Sequence, residues 1–206
     1  MKRGAGPARI VVLASGNGTN LQAVLDAIAA GDLRAEVVAV VTNRSDAHAL
    51  ERAATAAVPA MCIERAAAES RVDYDTRLAT TVADFAPDYV LLAGWMRVLS
   101  MAFLSRFHNR VVNIHPALPG QFPGAHAIER ALSAAQRLGL NRTGVMVHYV
   151  PDEGVDDGPV IASVEVPIRT DDDLESLTER VHAAEHALVV SALRQLTERR
   201  GWRALR

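Results

Sequence analysis

The chain has 206 residues, 50% hydrophobic and 22% charged, with 22 Lys and Arg against 24 Asp and Glu for a net charge of -2. This is the profile of one sizeable globular domain, and scattered basic residues without an aromatic platform exclude a nucleic-acid or membrane surface and favour a small-molecule partner. Cys62 is the only cysteine, and SGNG soon breaks the apolar run after MKRGAGPAR, so neither an internal disulfide nor a signal peptide is expected and a cytoplasmic protein is favoured. Residues 1–8 read as a disordered leader and 9–206 as a single domain, without repeats, low-complexity segments or transmembrane stretches.

Ile10 to Ala14 is a continuous apolar run of the kind buried in a parallel sheet, followed by Leu21, Val24, Leu25 and Ile28 at helical spacing and Gly31 as a stop. EVVAVVTN (36–43) predicts a second strand, Ser45 a cap for a helix through Ala57, and AMCI (60–63) a short strand. Ser70 and Asp73 form a capping-box pattern before a helix carrying Leu78, Val82 and Phe85, stopped by Pro87. DYVLLAG (88–94) is the next strand, a short helix follows Ser100, and RVVNI is another strand. GVMVHYV (144–150) and PVIASVEVPI (159–168) predict antiparallel additions, and a long helix runs from Asp171 to Arg199. The expected fold is α/β: a Rossmann-like, open, twisted, mostly parallel sheet with helices on both faces and ligands at the carboxyl ends of its strands.

Four segments carry candidate chemistry. SGNGTNL (15–21) sits at a strand-to-helix turn, where glycines and free N–H groups suit a phosphate, although a tight connection capped by Thr19 or Asn20 also explains it. A dinucleotide site lacks its third glycine and acidic residue, leaving only an NADP-type variant through Arg44. Asn113 and His115, two apart at a strand's carboxyl end, can share a face and donate to one substrate oxygen; a capped strand terminus is the plain alternative. PDEGVDDGPV (151–160) holds four carboxylates in six residues, as a solvated loop would, and gains a role only if one aspartate turns inward to a histidine. On the last helix, at about 100° per residue, Leu174, Leu177, Leu188 and Ala192 lie within about 40° of Val181, and so does Glu185, while His182 and His186 lie on the flank. A carboxylate on that stripe must be paired, bound to a ligand or able to reach water.

SGNGTNLQA, LLAGWMRVLS (91–100), NIHPALPGQFPG (113–124), HYVPDEGVDDGPVI (148–161) and EHAL (185–188) occur in the order and spacing of the phosphoribosylglycinamide (glycinamide ribonucleotide) formyltransferase family, which the chain resembles from Ile10 to Leu196. Methionyl-tRNA formyltransferase and formyltetrahydrofolate hydrolase share part of this pattern and carry extra domains. The resemblance implies the formyltransferase fold, with a phosphate-binding N-terminal half and a folate-binding C-terminal half. It implies formyl transfer from 10-formyltetrahydrofolate to glycinamide ribonucleotide in purine biosynthesis, without a metal, and allows a homodimer. By position it implies Asn113, His115 and Asp156 as the catalytic trio, Asp156 standing two residues before Gly158-Pro159, with Asp157 the neighbouring candidate that the double aspartate leaves open. It implies Gly18, Thr19, Asn20 and Glu185 for the ribonucleotide, and Arg71, Met96, Arg97, Val98, Leu99, Asp152 and Asp156 for the folate. Protonated His115, held by Asp156, would donate with Asn113 to the developing oxyanion.

The chain departs from the family's N-I-H-P-S-L-L-P at Ala117, Pro119 and Gly120, and His126 lies in the same region. The alternatives from other classes are an NADP-dependent reductase, which would use Arg44, and a nucleotide-binding module that would tolerate loss of His115.

Overall fold

The computed structural model describes residues 6–204, with side chains described to residue 198. Residues 1–5 of the expected leader lie outside the described residues, and Ala8 already belongs to the first strand, buried at its edge. The elements are β1 (Ala8–Ala14), α1 (Thr19–Ala29), β2 (Ala35–Thr42), α2 (Ala49–Thr55), β3 (Ala60–Cys62), α3 (Arg71–Asp84), β4 (Tyr89–Leu92), α4 (Met101–Leu104), β5 (Val111–His115), α5 (Ala127–Leu138), β6 (Arg142–Tyr149), β7 (Val160–Pro167) and α6 (Leu174–Ala204).

The strands form one sheet in the order β3-β2-β1-β4-β5-β6-β7. β1 to β5 pair in parallel, and β6 and β7 are added antiparallel. Along β1 the side chains alternate between two cores. Ile10, Val12 and Ala14 pack with residues of α1, α2, α5 and α6, while Val11 and Leu13 pack with Tyr74, Leu78 and Val82 of α3 and Phe103 and Leu104 of α4. Both faces are therefore covered, which is why this strand reads as an unbroken apolar run. Among the described residues no helix is long and apolar enough to cross a membrane.

The chain moves outward from β1 to β2 and β3, then returns to place β4 on the other side of β1. That reversal opens a crevice at the carboxyl ends of β1 and β4. Its two walls are tied together, Ser15 N–H donating to Gly94 O (3.1 Å) and Met96 N–H to Ser15 Oγ (3.0 Å).

Several local expectations are corrected. Ser45 caps nothing: α2 starts after His48, and Ser45 N–H instead donates to Glu64 Oε1 (3.1 Å). Leu174 is half exposed because α6 has only just begun there. Its entry is fixed by a reciprocal pair in which Asp173 Oδ1 accepts from Ser176 N–H (2.9 Å) and Ser176 Oγ accepts from Asp173 N–H (3.1 Å). α5 has no counterpart among the expected helices. The capping box at Ser70 is present, its hydroxyl accepting from Asp73 N–H (3.0 Å).

Candidate active site

β5 ends on Asn113 and His115, and the antiparallel register places His148 of β6 opposite Asn113. The acidic loop after β6 turns one aspartate inward onto all three. Asp156 Oδ1 accepts from Asn113 Nδ2 (2.9 Å) and lies 3.4 Å from His148 Nε2; Oδ2 accepts from Gly124 N–H (2.7 Å) and lies 3.2 Å from His115 Nδ1. Asp157, the neighbouring candidate, stays at the surface. Asp156 holds φ +55, a left-handed conformation that Asp tolerates better than most residues, and this turns its carboxylate inward.

Burial pushes the Asp156 carboxyl up, but hydrogen bonds from His148 and Gly124 and the charges of the two histidines together hold it below its ordinary value. His115, 5% exposed, is drawn below the usual imidazole value by burial, which outweighs the attraction of Asp156. Burial thus opposes the protonated form of His115 on which donation to an oxyanion draws. Its Nε2 faces Phe122 O (3.0 Å) while Nδ1 faces Asp156, so both nitrogens meet acceptors. A neutral ring fills one of these contacts only, and the ring is poised to take a second proton when negative charge develops nearby.

His148, which was not among the expected site residues, is 2% exposed. Its Nδ1 lies 2.9 Å from Tyr149 O, and its Nε2 faces both Asn113 Nδ2 (3.2 Å) and Asp156 Oδ1 (3.4 Å). A histidine inside the apolar run GVMVHYV was the available signal.

The residues that depart from the family pattern form a tight turn. Gln121 N–H donates to Leu118 O (2.9 Å) across Pro119 and Gly120, with Gly120 at φ +76. Proline followed by a left-handed glycine is the requirement of a type II turn. Ala117 is fully buried, and Leu118 packs so closely on Gly144 that a Cβ there would lie 2.4 Å from its Cδ2. His126 is outside the site: it precedes α5 at φ +59, exposed and paired with Glu129 (3.2 Å).

At the crevice, α1 begins on Gly18 (φ +74), without a side-chain cap from Thr19 or Asn20. Ala49 N–H donates to Gly16 O (3.2 Å), and Arg52 donates to Asn17 O and Oδ1 (2.8 Å each), bracing the loop from α2. A Cβ on Gly18 would sit 2.9 Å from Ala49 Cα, and its φ is one that side chains resist. Gly18→Ala is expected to destabilise the fold by about 2 kcal/mol or more, from left-handed strain and overpacking. Urea unfolding checks this, and an unchanged midpoint would contradict it.

Asn20 Oδ1 is buried without a hydrogen-bond partner. The Asn20 side chain also hydrogen-bonds Glu185, which projects from the core stripe of α6 and is 6% exposed. Burial raises the Glu185 carboxyl to about 7 despite that bond; His182 Nε2 lies 3.8 Å away. Gly18, Thr19, Asn20 and Glu185 thus belong to one region of the crevice.

Across the crevice, Met96 and Val98 are exposed, Arg97 lies over the Tyr74 ring (5.0 Å), and the Leu99 side chain is buried in the core, which leaves only its backbone for a ligand. Asp75, itself buried, accepts from Ser100 N–H (2.6 Å) and anchors the end of this segment. Arg71 is paired with Glu153, whose other oxygen accepts from Met101 N–H (2.9 Å), tying the acidic loop to α3 and α4. Asp152 is exposed and accepts from Gly154 N–H (2.9 Å) within the loop. Arg44 is engaged by both oxygens of Asp46 (2.9 and 2.7 Å) and not held open for a 2′-phosphate.

Residues 8–193 match the family model described as formyl transferase. The chain is 43% identical over 201 residues to the phosphoribosylglycinamide formyltransferase of Schizosaccharomyces pombe, covering 92% of this chain and 97% of that protein. It is 45% identical over 190 residues to that of Mycobacterium tuberculosis (strain H37Rv), covering 92% and 85%. A crystal structure of glycinamide ribonucleotide transformylase 1 from Symbiobacterium toebii matches with a TM-score of 0.88 at 41% identity, covering 94% of this chain and 89% of that one.

Proposed function

The chain belongs to the formyl transferase family, and on that footing we propose that it transfers the formyl group of 10-formyltetrahydrofolate to the amine of glycinamide ribonucleotide in purine biosynthesis. The observation that carries the residue assignment is the convergence of Asn113, His115 and the Gly124 N–H on the Asp156 carboxylate at the end of β5. The first turn of α1, from Gly18 through Asn20, takes the phosphate, since uncapped helix N-terminal N–H groups favour an anion. Glu185 and the unpartnered Asn20 Oδ1 receive the glycinamide amine. The exposed Met96 and Val98, the 96–99 backbone and the acidic loop receive the folate, with Arg71 facing its anionic tail.

The amine nitrogen attacks the formyl carbon, the carbonyl oxygen takes up negative charge, and collapse breaks the bond to N10 as the amine loses a proton and N10 gains one. His115 and Asn113 donate to that oxygen, an interaction stronger in the transition state than in the ground state. Asn113 Nδ2 and the His115 ring face Asp156 and Phe122 O, and the substrate oxygen takes these donors by exchange. As the oxygen becomes negative it favours the second proton on His115 that burial disfavours, and Asp156 stabilises the resulting cation.

Purified protein with both substrates should release tetrahydrofolate, and His115→Ala should fold but lose turnover by roughly 100-fold or more. No turnover by the folded wild type rejects the activity; formate release without the ribonucleotide marks a hydrolase. Full activity in His115→Ala rejects the residue assignment.

A further inference from the structure

We propose that Arg130 is a positioning residue for formyl transfer, its guanidinium gathering the carbonyls of the 122–124 turn and so setting the groups that hold His115 and Asp156. Arg130 Nη2 donates to Phe122 O (2.7 Å) and Pro123 O (2.6 Å) and lies 3.5 Å from Gly124 O; its Nε lies 3.4 Å from His126 O. The guanidinium carbon stands 5.9 Å from the centroid of the Phe122 ring.

The turn needs such a clamp. Phe122, Gly124 and His126 all have positive φ, at +45, +78 and +59, a conformation that strains the two non-glycine residues. The groups it presents are those of the site. Phe122 O accepts from Arg130 and faces His115 Nε2 (3.0 Å), while Gly124 N–H donates to Asp156 Oδ2 (2.7 Å). One carbonyl oxygen therefore lies between the arginine and the histidine. The charged and titratable groups about His115 are Asp156 of the acidic loop, His148 of β6 and Arg130 of α5; Asp156 favours its cation and the other two oppose it.

The inference rests on His115 acting in the transfer, and its test separates the two. Arg130→Met removes both charge and clamp; Arg130→Lys keeps the charge, but its ammonium ends one bond short of the Nη2 position that meets the carbonyls and it has no Nε to face His126 O. Both variants should lower kcat by roughly 10- to 100-fold through misplacement of the reacting groups, with KM for either substrate little changed. In substrate-free protein, ring-nitrogen NMR should show the His115 titration moving to higher pH in Arg130→Met and staying in place in Arg130→Lys. Wild-type kcat together with an unmoved His115 titration in Arg130→Met overturns the inference. So does a kcat loss in both variants that matches their unfolded fraction by circular dichroism. The titration needs no turnover, so a wild type inactive on these substrates defeats the proposed activity and leaves the Arg130 result to stand or fall alone.

Discussion

Asp156→Asn is expected to lower kcat by roughly 10²–10³-fold while the protein folds, the scale on which preorganised donors to a developing oxyanion contribute. The substitution keeps volume and removes charge. Four groups face the two carboxylate oxygens, and each oxygen is now an acceptor. An amide has one oxygen, so its NH2 must confront either Asn113 Nδ2 and His148, or Gly124 N–H and His115 Nδ1. In the second case His115 loses the acceptor that orients it, and in both cases it loses the anion that offsets its burial. The His115 titration should therefore fall further, and the residual rate should respond to pH differently from the wild type. Asp157→Asn, at the surface, should keep wild-type kcat. If Asp157→Asn is inactive and Asp156→Asn is not, the inward aspartate has been misassigned.

Glu185→Gln should produce the largest change in pH-dependent stability. The folded carboxyl titrates at about 7, against an ordinary value of 4.5, because burial opposes its charge. Below the ordinary value both folded and unfolded states hold the proton, and no penalty exists. As pH rises from there to about 7 the unfolded chain ionises first, and the folded state loses stability until its own carboxyl ionises. That interval corresponds to at most about 3 kcal/mol. The Gln variant should therefore match the wild type near pH 4.5 and be the more stable above pH 7, by thermal unfolding across pH. The same variant should show a raised KM for the ribonucleotide, because Gln offers no anion to the glycinamide amine. Parallel stability curves would mean that the wild-type carboxylate is solvated and not buried.

The two halves of the segment VVNIHPALPGQFPG differ in how far local sequence explains them. Asn113 and His115 share a strand, so their common direction follows from its two-residue period. The Pro119-Gly120 turn is equally local, since proline supplies one torsion and glycine the next. What the turn is for is not local. Phe122 and Gly124 matter because they meet His115 and Asp156, and Arg130 because α5 returns across them. α2 misled for a related reason: Ser45 has the chemistry of a cap, but Glu64, across the loop after β3, takes its N–H and the helix starts later.

By itself the sequence determined the alternation of buried strands and helices, the polar loops at the strand ends, the glycine turn before α1 and the placement of Glu185 on an apolar stripe. Each follows from periodicity or from the torsions that Gly and Pro allow, which neighbours along the chain express. Only the tertiary structure decided that Asp156 and not Asp157 turns inward, that His148 joins it, that burial prevails over Asp156 at His115, and that Arg130 clamps the turn. Asn113 and Asp156 are 43 residues apart, and Gly124 and Asp156 are 32 apart. Their meeting depends on β6 running antiparallel beside β5 and returning the acidic loop to the end of that strand, and desolvation is likewise set by everything packed around a group.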